Sequence, residues 1–416
     1  MVTTNNWWIH LGIIPDFSGA MLTLWTRLAL LLLLVLSENI HSVHGTLSQS
    51  DKRSKDTKNI KTFEGPVADD IVARGVATKN PKVKDLIAHH AAYQSNIKKV
   101  NFQGTVLGYV TPWNSKGYDV AQVFAPKFGI ISPVWLQVRR ETGGTFRITG
   151  DHDIDQGWIE KLRKHNKKLK IIPRVLFEGW SGQDYSKVLT DSQEQQQLAK
   201  SLVEICQRNS FDGLVLELWS QLGGRVNEPL AALVQRLAKA LRESGRTTIL
   251  VLPPVSGRPP EIFDKIDFDR LVNDVDYFSL MTYDFSSVQR PGPSSPLPWI
   301  RSCVEQLVPD QSDPHRSKIL LGLNFYGQDF TPNGGGPILG NQFIDLLKKA
   351  KSTEKMKHDE SAEENFIEIR TNEGRHAVFY PTPYSVQKRI NLARELGTGV
   401  SIWELGQGLD CFYDLL

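Results

Sequence analysis

The segment Phe211-Asp212-Gly213-Leu214-Val215-Leu216-Glu217-Leu218-Trp219-Ser220 decides how the chain is to be read. Asp-Gly ends a loop, and the Leu- and Val-rich run after it has the length and composition of a buried strand. Alternate residues of a strand share a face. Val215, Glu217 and Trp219 are therefore expected to point together, with one carboxylate between two apolar neighbours. Burying an unpaired charge is costly, so this carboxylate needs a partner or a task.

Outward from this strand the same pattern repeats. Short apolar runs occur at Thr105–Val110, Ile130–Gln137, Leu169–Phe177, Thr248–Leu252, Tyr277–Met281, Ile319–Leu323 and Val400–Trp403. Helix-period segments such as Ser192–Arg208, Glu228–Glu243 and Tyr384–Leu396 lie between them, the last capped by Thr382 with Pro383 at its first position. Strands alternating with helices predict an α/β fold, a (β/α)8 TIM barrel over residues 99–416. Asn324–Pro381 is too long for one loop and helix, and predicts a small insertion between strands seven and eight. Residues 46–98 read as a polar leader with a docking helix near Lys84–Ser95.

Bulk properties bound the partners. The 416 residues carry a net charge of +3, which gives no signal for nucleic acid. Arg27 precedes the apolar run Leu28–Leu36, which is far shorter than the roughly 20 residues of a membrane span. Val43-His44-Gly45 offers small residues where a signal peptidase cuts. Residues 1–45 thus read as an upstream extension followed by a secretory signal, Met21–Gly45; an uncut anchor is the other reading. Three cysteines, Cys206, Cys303 and Cys411, provide no disulfide framework and leave at least one thiol free or paired between molecules. The His residues show no metal spacing and no Gly-rich phosphate loop follows a strand, so neither metal nor cofactor is expected. The basic run Lys161–Lys170 is either a solvated helix end or a patch for anionic glycans.

On such a barrel the working residues stand at the C-terminal ends of strands. Those ends read Tyr109 to Asn114, Phe177-Glu178-Gly179-Trp180, Glu217-Leu218-Trp219, Met281-Thr282-Tyr283-Asp284, Asn324-Phe325-Tyr326-Gly327 and Ile402-Trp403-Glu404. Aromatic rings and a few carboxylates converging on one mouth fit a carbohydrate cleft. Its candidate binding residues are Tyr109, Trp113, Trp180, Glu217, Trp219, Met281, Tyr283, Asp284, Tyr326 and Trp403.

Phe211-Asp212-Gly213, Met281-Thr282-Tyr283-Asp284, Gly292-Pro293-Ser294-Ser295-Pro296-Leu297, Lys318 to Gly327 and Trp403-Glu404, in this order, resemble the motifs of glycoside hydrolase family 18, the chitinases. That family's fourth strand has the form Asp-x-x-Asp-x-Asp-x-Glu, and the last Glu is its proton donor. The row of inward carboxylates shares protons and raises the pKa of the acid, while the substrate's own N-acetyl group acts as nucleophile. Aligned to that motif, Asp212 matches the first Asp, whereas Val215, Glu217 and Trp219 replace the second Asp, third Asp and proton donor. Glu217 lies roughly 6–7 Å deeper along the strand than the donor position, too far for its one extra methylene to bridge. Glu178 and Glu404 would have to approach the glycosidic bond differently.

The resemblance implies that Tyr283 and Asp284 match the pair that holds an N-acetyl group and that Trp403 is a stacking floor. Trp219 either adds a stacking surface or fills the space of the missing acid. The expected function is a secreted, catalytically inactive lectin for N-acetylglucosamine-type oligosaccharides, with bacterial glycans such as lipopolysaccharide among its ligands in innate immune recognition. The alternatives are a glycosidase with a displaced acid and a scaffold. The resemblance is nearest to chitinase-like members that interact with the scavenger receptor stabilin-1, which adds that receptor as a partner and late endosome or lysosome as a destination.

Overall fold

The computed structural model describes residues 60–416 except 142–144, 223, 225, 256, 258–260, 351–353 and 373. The expected signal Met21–Gly45 and residues 46–59 of the polar leader lie outside the described residues.

Parallel strands close into a ring: β1 (Val106–Val110), β2 (Ile130–Pro133, continued as Leu136–Arg140), β3 (Lys170–Ile171, continued as Arg174–Phe177), β4 (Gly213–Glu217), β5 (Thr247–Leu252), β6 (Tyr277–Leu280), β7 (Ile319–Asn324) and β8 (Gly399–Trp403). Each pairs with the next and β8 pairs with β1, which makes a (β/α)8 barrel. β2 and β3 are both interrupted. Ile131 faces Ile171 but Leu136 faces Val175, so β2 holds one extra residue, a bulge, opposite a proline that cannot donate to the ladder.

Alternation sorts the strand residues into two cores. Leu107, Tyr109, Ile130, Val215, Ile249, Val251 and Leu320 pack together inside the ring. Their sequence neighbours, such as Val106, Leu214, Leu216, Leu250, Leu321 and Val400, join the larger cluster beneath the surrounding helices. Those helices include Ser192–Asn209, Asn227–Glu243 and Pro383–Leu396, where Thr382 accepts a hydrogen bond from the Ser385 N–H as the expected cap.

The insertion after β7 is an antiparallel sheet in the order Gly334–Ile338, Gly327–Thr331, Gly374–Phe379, Glu364–Thr371, Lys357–Asp359, with helix Gly340–Leu347. A buried carboxylate ties it to the barrel. Glu364 accepts hydrogen bonds from the Ser294 and Ser295 N–H groups at 2.9 and 2.5 Å and pairs with Arg389 at 2.9 Å. In the leader, the expected helix covers only Val83–His89. The chain then becomes strand Ala91–Gln94 because those residues pair in parallel with Glu64–Val67. Asp414 anchors this leader, accepting from the Ile71 and Gln94 N–H groups and pairing with Arg74 at 2.8 Å. All three cysteines are free and buried, and burial pushes the thiols of Cys206 and Cys303 up to about 12.

At Gly213 the φ angle is 159°, and a Cβ there would lie 1.9 Å from the Thr247 carbonyl oxygen. Only glycine lets β4 start this close to β5. The substitution Gly213→Ala is expected to destabilise the fold by at least about 2 kcal/mol, read as a lowered urea midpoint at unchanged m-value.

Candidate functional site

The inner face of the ring changes character towards the strand C-termini. Deep in the barrel Val215 packs among aliphatic residues. Above it, at the end of β4, Glu217 forms an ion pair with Arg174 of β3, 2.6 Å between Nε and Oε2. The two strands are neighbours in register, Arg174 opposite Val215 and Leu176 opposite Glu217, so the guanidinium spans one diagonal step. The pair satisfies the requirement set by the lone carboxylate in the sequence. Its cationic half was missed in the sequence, although a single Arg inside Ile171-Ile172-Pro173-Arg174-Val175-Leu176-Phe177 was the visible signal.

Across the ring, Tyr109 Oη donates to Ser279 Oγ at 2.9 Å, and Ser279 Oγ donates to Ser401 Oγ at 3.2 Å. The Tyr109 ring lies 5.2 Å from the Trp403 ring, and Trp403 and Met281 cover the interior cluster while remaining partly exposed. Tyr326 Oη donates to Asp284 Oδ1 at 2.6 Å, and Gln328 of the insertion donates to the same oxygen at 3.2 Å. Asp284 adopts φ 59°, a left-handed conformation braced by a hydrogen bond from its N–H to Ser294 Oγ. Its carboxylate thus bonds across to β7 and the insertion rather than capping its own loop. Tyr283 stands edge-on to Tyr326, with centroids 6.2 Å apart. Burial raises the hydroxyl pKa of Tyr109, Tyr283 and Tyr326 well above the ordinary phenol value, which keeps them neutral donors.

The polar ends of the aromatic rings divide the candidates. Trp180 Nε1 donates to the Val138 carbonyl and Trp219 Nε1 to the Ile262 carbonyl. Among the described residues, Trp113 Nε1, Trp403 Nε1 and Tyr283 Oη have no protein acceptor. A half-buried ring with an unused donor is suited to a ligand. Trp113, 62% exposed on the loop after β1, completes this set.

Two expectations need correction. Trp219 is 0% exposed and packs edge-on to Phe263 in the outer core. Strand alternation fails there because β4 ends at Glu217 and a helical turn, Trp219–Leu222, begins. That turn swings the indole out of the ring, so it neither floors the cleft nor fills the place of an acid within it. Trp180 is also turned outward. After β3, Gly179 adopts φ 73° and the indole stacks on Phe146 at 5.7 Å. The mouth therefore gathers Tyr109, Trp113, Glu217, Met281, Tyr283, Asp284, Tyr326 and Trp403, most of them along the arc β1–β8–β7–β6. Part of the basic run serves the fold, since Arg163 donates to Asp212 and to the Ser210 carbonyl.

Of the other carboxylates near the rim, Glu178 is paired with Arg139 at 2.6 Å on the exposed surface. Glu404 is 0% exposed and is enclosed between two loops. It accepts hydrogen bonds from Asn114 Nδ2 at 2.5 Å and from the Gly406 N–H at 3.1 Å, thereby tying the β1 loop that carries Trp113 to the end of β8. Enclosure pushes its carboxyl up to about 7, against these two hydrogen bonds and the Lys116 charge. Such a value suits a general acid, but a group sealed from solvent cannot meet a glycosidic oxygen. The shift belongs to a structural latch.

A carboxyl raised in the native state binds more protons when folded than when unfolded, so stability falls as pH rises through the window from the ordinary 4.5 to about 7. Glu404→Gln has no such titration. Its stability relative to wild type is expected to improve by up to about 3 kcal/mol across that window, measured by urea unfolding at a series of pH values.

Comparison with known proteins places the geometry in context. The sequence pattern of "Glycosyl hydrolases family 18" matches residues 105–408. Chitotriosidase-1 of Mus musculus is 30% identical over 196 residues, 42% of either chain. Chitinase-3-like protein 2 of Homo sapiens is 24% identical over 234 residues, 47% of this chain and 60% of that one. The matches therefore span less than two thirds of these relatives' length. A chitinase from Chromobacterium violaceum superposes with a TM-score of 0.64 at 22% identity, over 75% of this chain and 97% of that one. A chitinase from Cycas revoluta in complex with (GlcNAc)3 superposes at 0.61 and 16% identity, over 75% and 98%. At such identity the superpositions show a shared barrel. With the family pattern matched over well more than half of its length, the chain belongs to glycosyl hydrolase family 18.

Proposed function

We propose that the chain binds N-acetylglucosamine-type oligosaccharides at the barrel mouth and does not cleave them by the acid mechanism of its family. The observation that carries this reading is β4. At the positions of the proton-sharing row stand an aliphatic residue inside the barrel, a carboxylate held by Arg174, and an indole turned out of the ring. As half of an ion pair Glu217 is an acceptor, whereas a general acid must donate. The grip is still present. Trp403 and Tyr109 offer apolar ring surface, Trp113, Trp403 and Tyr283 offer unused donors, and Asp284 is preset by Tyr326 and Gln328. The complex of the Cycas revoluta chitinase with (GlcNAc)3 supports the choice of ligand class.

Within this proposal the chain is a secreted lectin of innate immune recognition, delivered in part to late endosomes or lysosomes. Lipopolysaccharide is a further ligand and stabilin-1 a receptor partner. Secretion is supported by the apolar run Leu28–Leu36, and affinity for anionic glycans by the cations of Lys161–Lys170. No helix among the described residues is long and apolar enough to cross a membrane.

Isothermal titration with chitotetraose is expected to show binding by the wild type and roughly tenfold or greater weakening by Trp403→Ala. A fluorogenic chito-oligosaccharide is expected to be left intact from acid to neutral pH. Turnover that Glu217→Gln abolishes would overturn the proposal, as would unchanged affinity in the Trp403 variant.

A further inference from the structure

The loop that follows Asp284 carries a cation with no counter-charge. Ser287 and Arg290 exchange backbone hydrogen bonds at 3.1 and 2.9 Å and close a tight turn. The turn is fixed at its base, where the Phe285 N–H donates to the Ser294 carbonyl at 2.9 Å and the Ser294 N–H donates to the buried Glu364. The Arg290 guanidinium lies over the Phe285 ring, 4.9 Å from its centroid, and its Nη2 donates to the Phe285 carbonyl at 2.7 Å. Phe285 is 37% exposed and leans on Trp299 at 5.1 Å. Among the described residues Arg290 forms no ion pair, and apart from the one Nη2 bond its guanidinium N–H groups have no protein acceptor.

A structural role accounts for one of the guanidinium's donors and for the ring beneath it. It leaves the remaining N–H groups of an exposed guanidinium free, at the backbone of the residue that follows Asp284. Stacking on Phe285 reduces the freedom of the side chain in advance, so that little further ordering is needed to meet a ligand. Each two-pronged face of a guanidinium includes Nη2, which keeps a second N–H after bonding the Phe285 carbonyl; that N–H and its neighbour match a carboxylate, where a neutral hydroxyl would use one of them. The Asp284 carboxylate is turned to Tyr326 and Gln328, on the β7 side, and does not occupy Arg290.

We propose that Arg290, held on Phe285, reads a carboxylate on the sugar next to the N-acetylglucosamine unit at Asp284 and Tyr326. The preferred ligand is then a strand in which N-acetylglucosamine alternates with a carboxylated amino sugar, as in peptidoglycan strands whose lactyl carboxyls carry no peptide, rather than neutral chitin. This inference rests on the saccharide-binding reading of the mouth and adds to it the identity of the neighbouring sugar.

Three probes separate the two levels: chitotetraose, a peptide-free tetrasaccharide of alternating N-acetylglucosamine and N-acetylmuramic acid, and the same tetrasaccharide with its carboxyls reduced to alcohols. Wild type is expected to bind the acidic tetrasaccharide roughly tenfold more tightly than the reduced one, with the preference shrinking as salt is added. Arg290→Gln is expected to lose that preference and keep the wild-type affinity for chitotetraose. Arg290→Lys, which retains the charge without the fork, is expected to fall between. An equal affinity of wild type for the acidic and reduced probes, or an unchanged preference in Arg290→Gln, overturns the inference and leaves chitotetraose binding standing. Failure of wild type to bind any of the three overturns both levels.

Discussion

An ion pair inside the barrel sets the terms for the rest of the mouth. Arg174 and Glu217 stand 2.6 Å apart with side chains 5% and 20% exposed. Each is tolerable there because of the other, since loss of one partner from a buried pair leaves an uncompensated charge at a cost of about 3–5 kcal/mol. With that pair closed, the inward surface below it is aliphatic and the surface beside it is a chain of neutral hydroxyls from Tyr109 through Ser279 to Ser401. A family member that cuts sugar needs several carboxylates sharing protons at this height. Here the Glu217 charge is paired within the wall, and the proposed cleft is left with ring surface, neutral donors and the Asp284 carboxylate.

Two more buried carboxylates do for the loops what this pair does for the wall. Glu364 collects the Ser294 and Ser295 N–H groups and Arg389, and through Ser294 it braces the left-handed Asp284. Glu404 collects Asn114 and Gly406 and holds the loop of Trp113. Both carboxyl groups sit behind the candidate residues and act on their position. The mouth is therefore held in shape by hydrogen bonds made outside the proposed cleft.

The barrel was legible in the sequence because its evidence is periodic. Eight apolar runs with helix-period segments between them, and the over-long stretch before the last run, map onto the strands and the inserted sheet. That Tyr283, Asp284, Tyr326 and Trp403 would stand at one end of the barrel was legible because strand ends on this fold face one way. Trp180 and Trp219 were misread for a single reason. Alternation holds only while the chain stays extended, and a left-handed Gly179 in one case and a helical turn in the other redirect the side chain. Arg174, Glu364 and Arg389 went unnoticed because pairing across 43 residues, or across 25, leaves no local pattern. The leader helix was set too long because the parallel pairing of Ala91–Gln94 with Glu64–Val67 is likewise non-local.

The bond between Asn114 and Glu404 joins positions 290 residues apart, across the seam where β8 meets β1. A ring of parallel strands has no inside until its last member is in place, and contacts this distant in sequence are costly to form before the intervening chain is ordered. During synthesis the first seven strands can at most form an open, curling sheet with two unpaired edges. Trp403 is itself the final residue of the closing strand. The floor of the proposed cleft thus arrives in the same event that seals the barrel, and under that proposal only a chain whose ring has already closed can stack a sugar on Trp403.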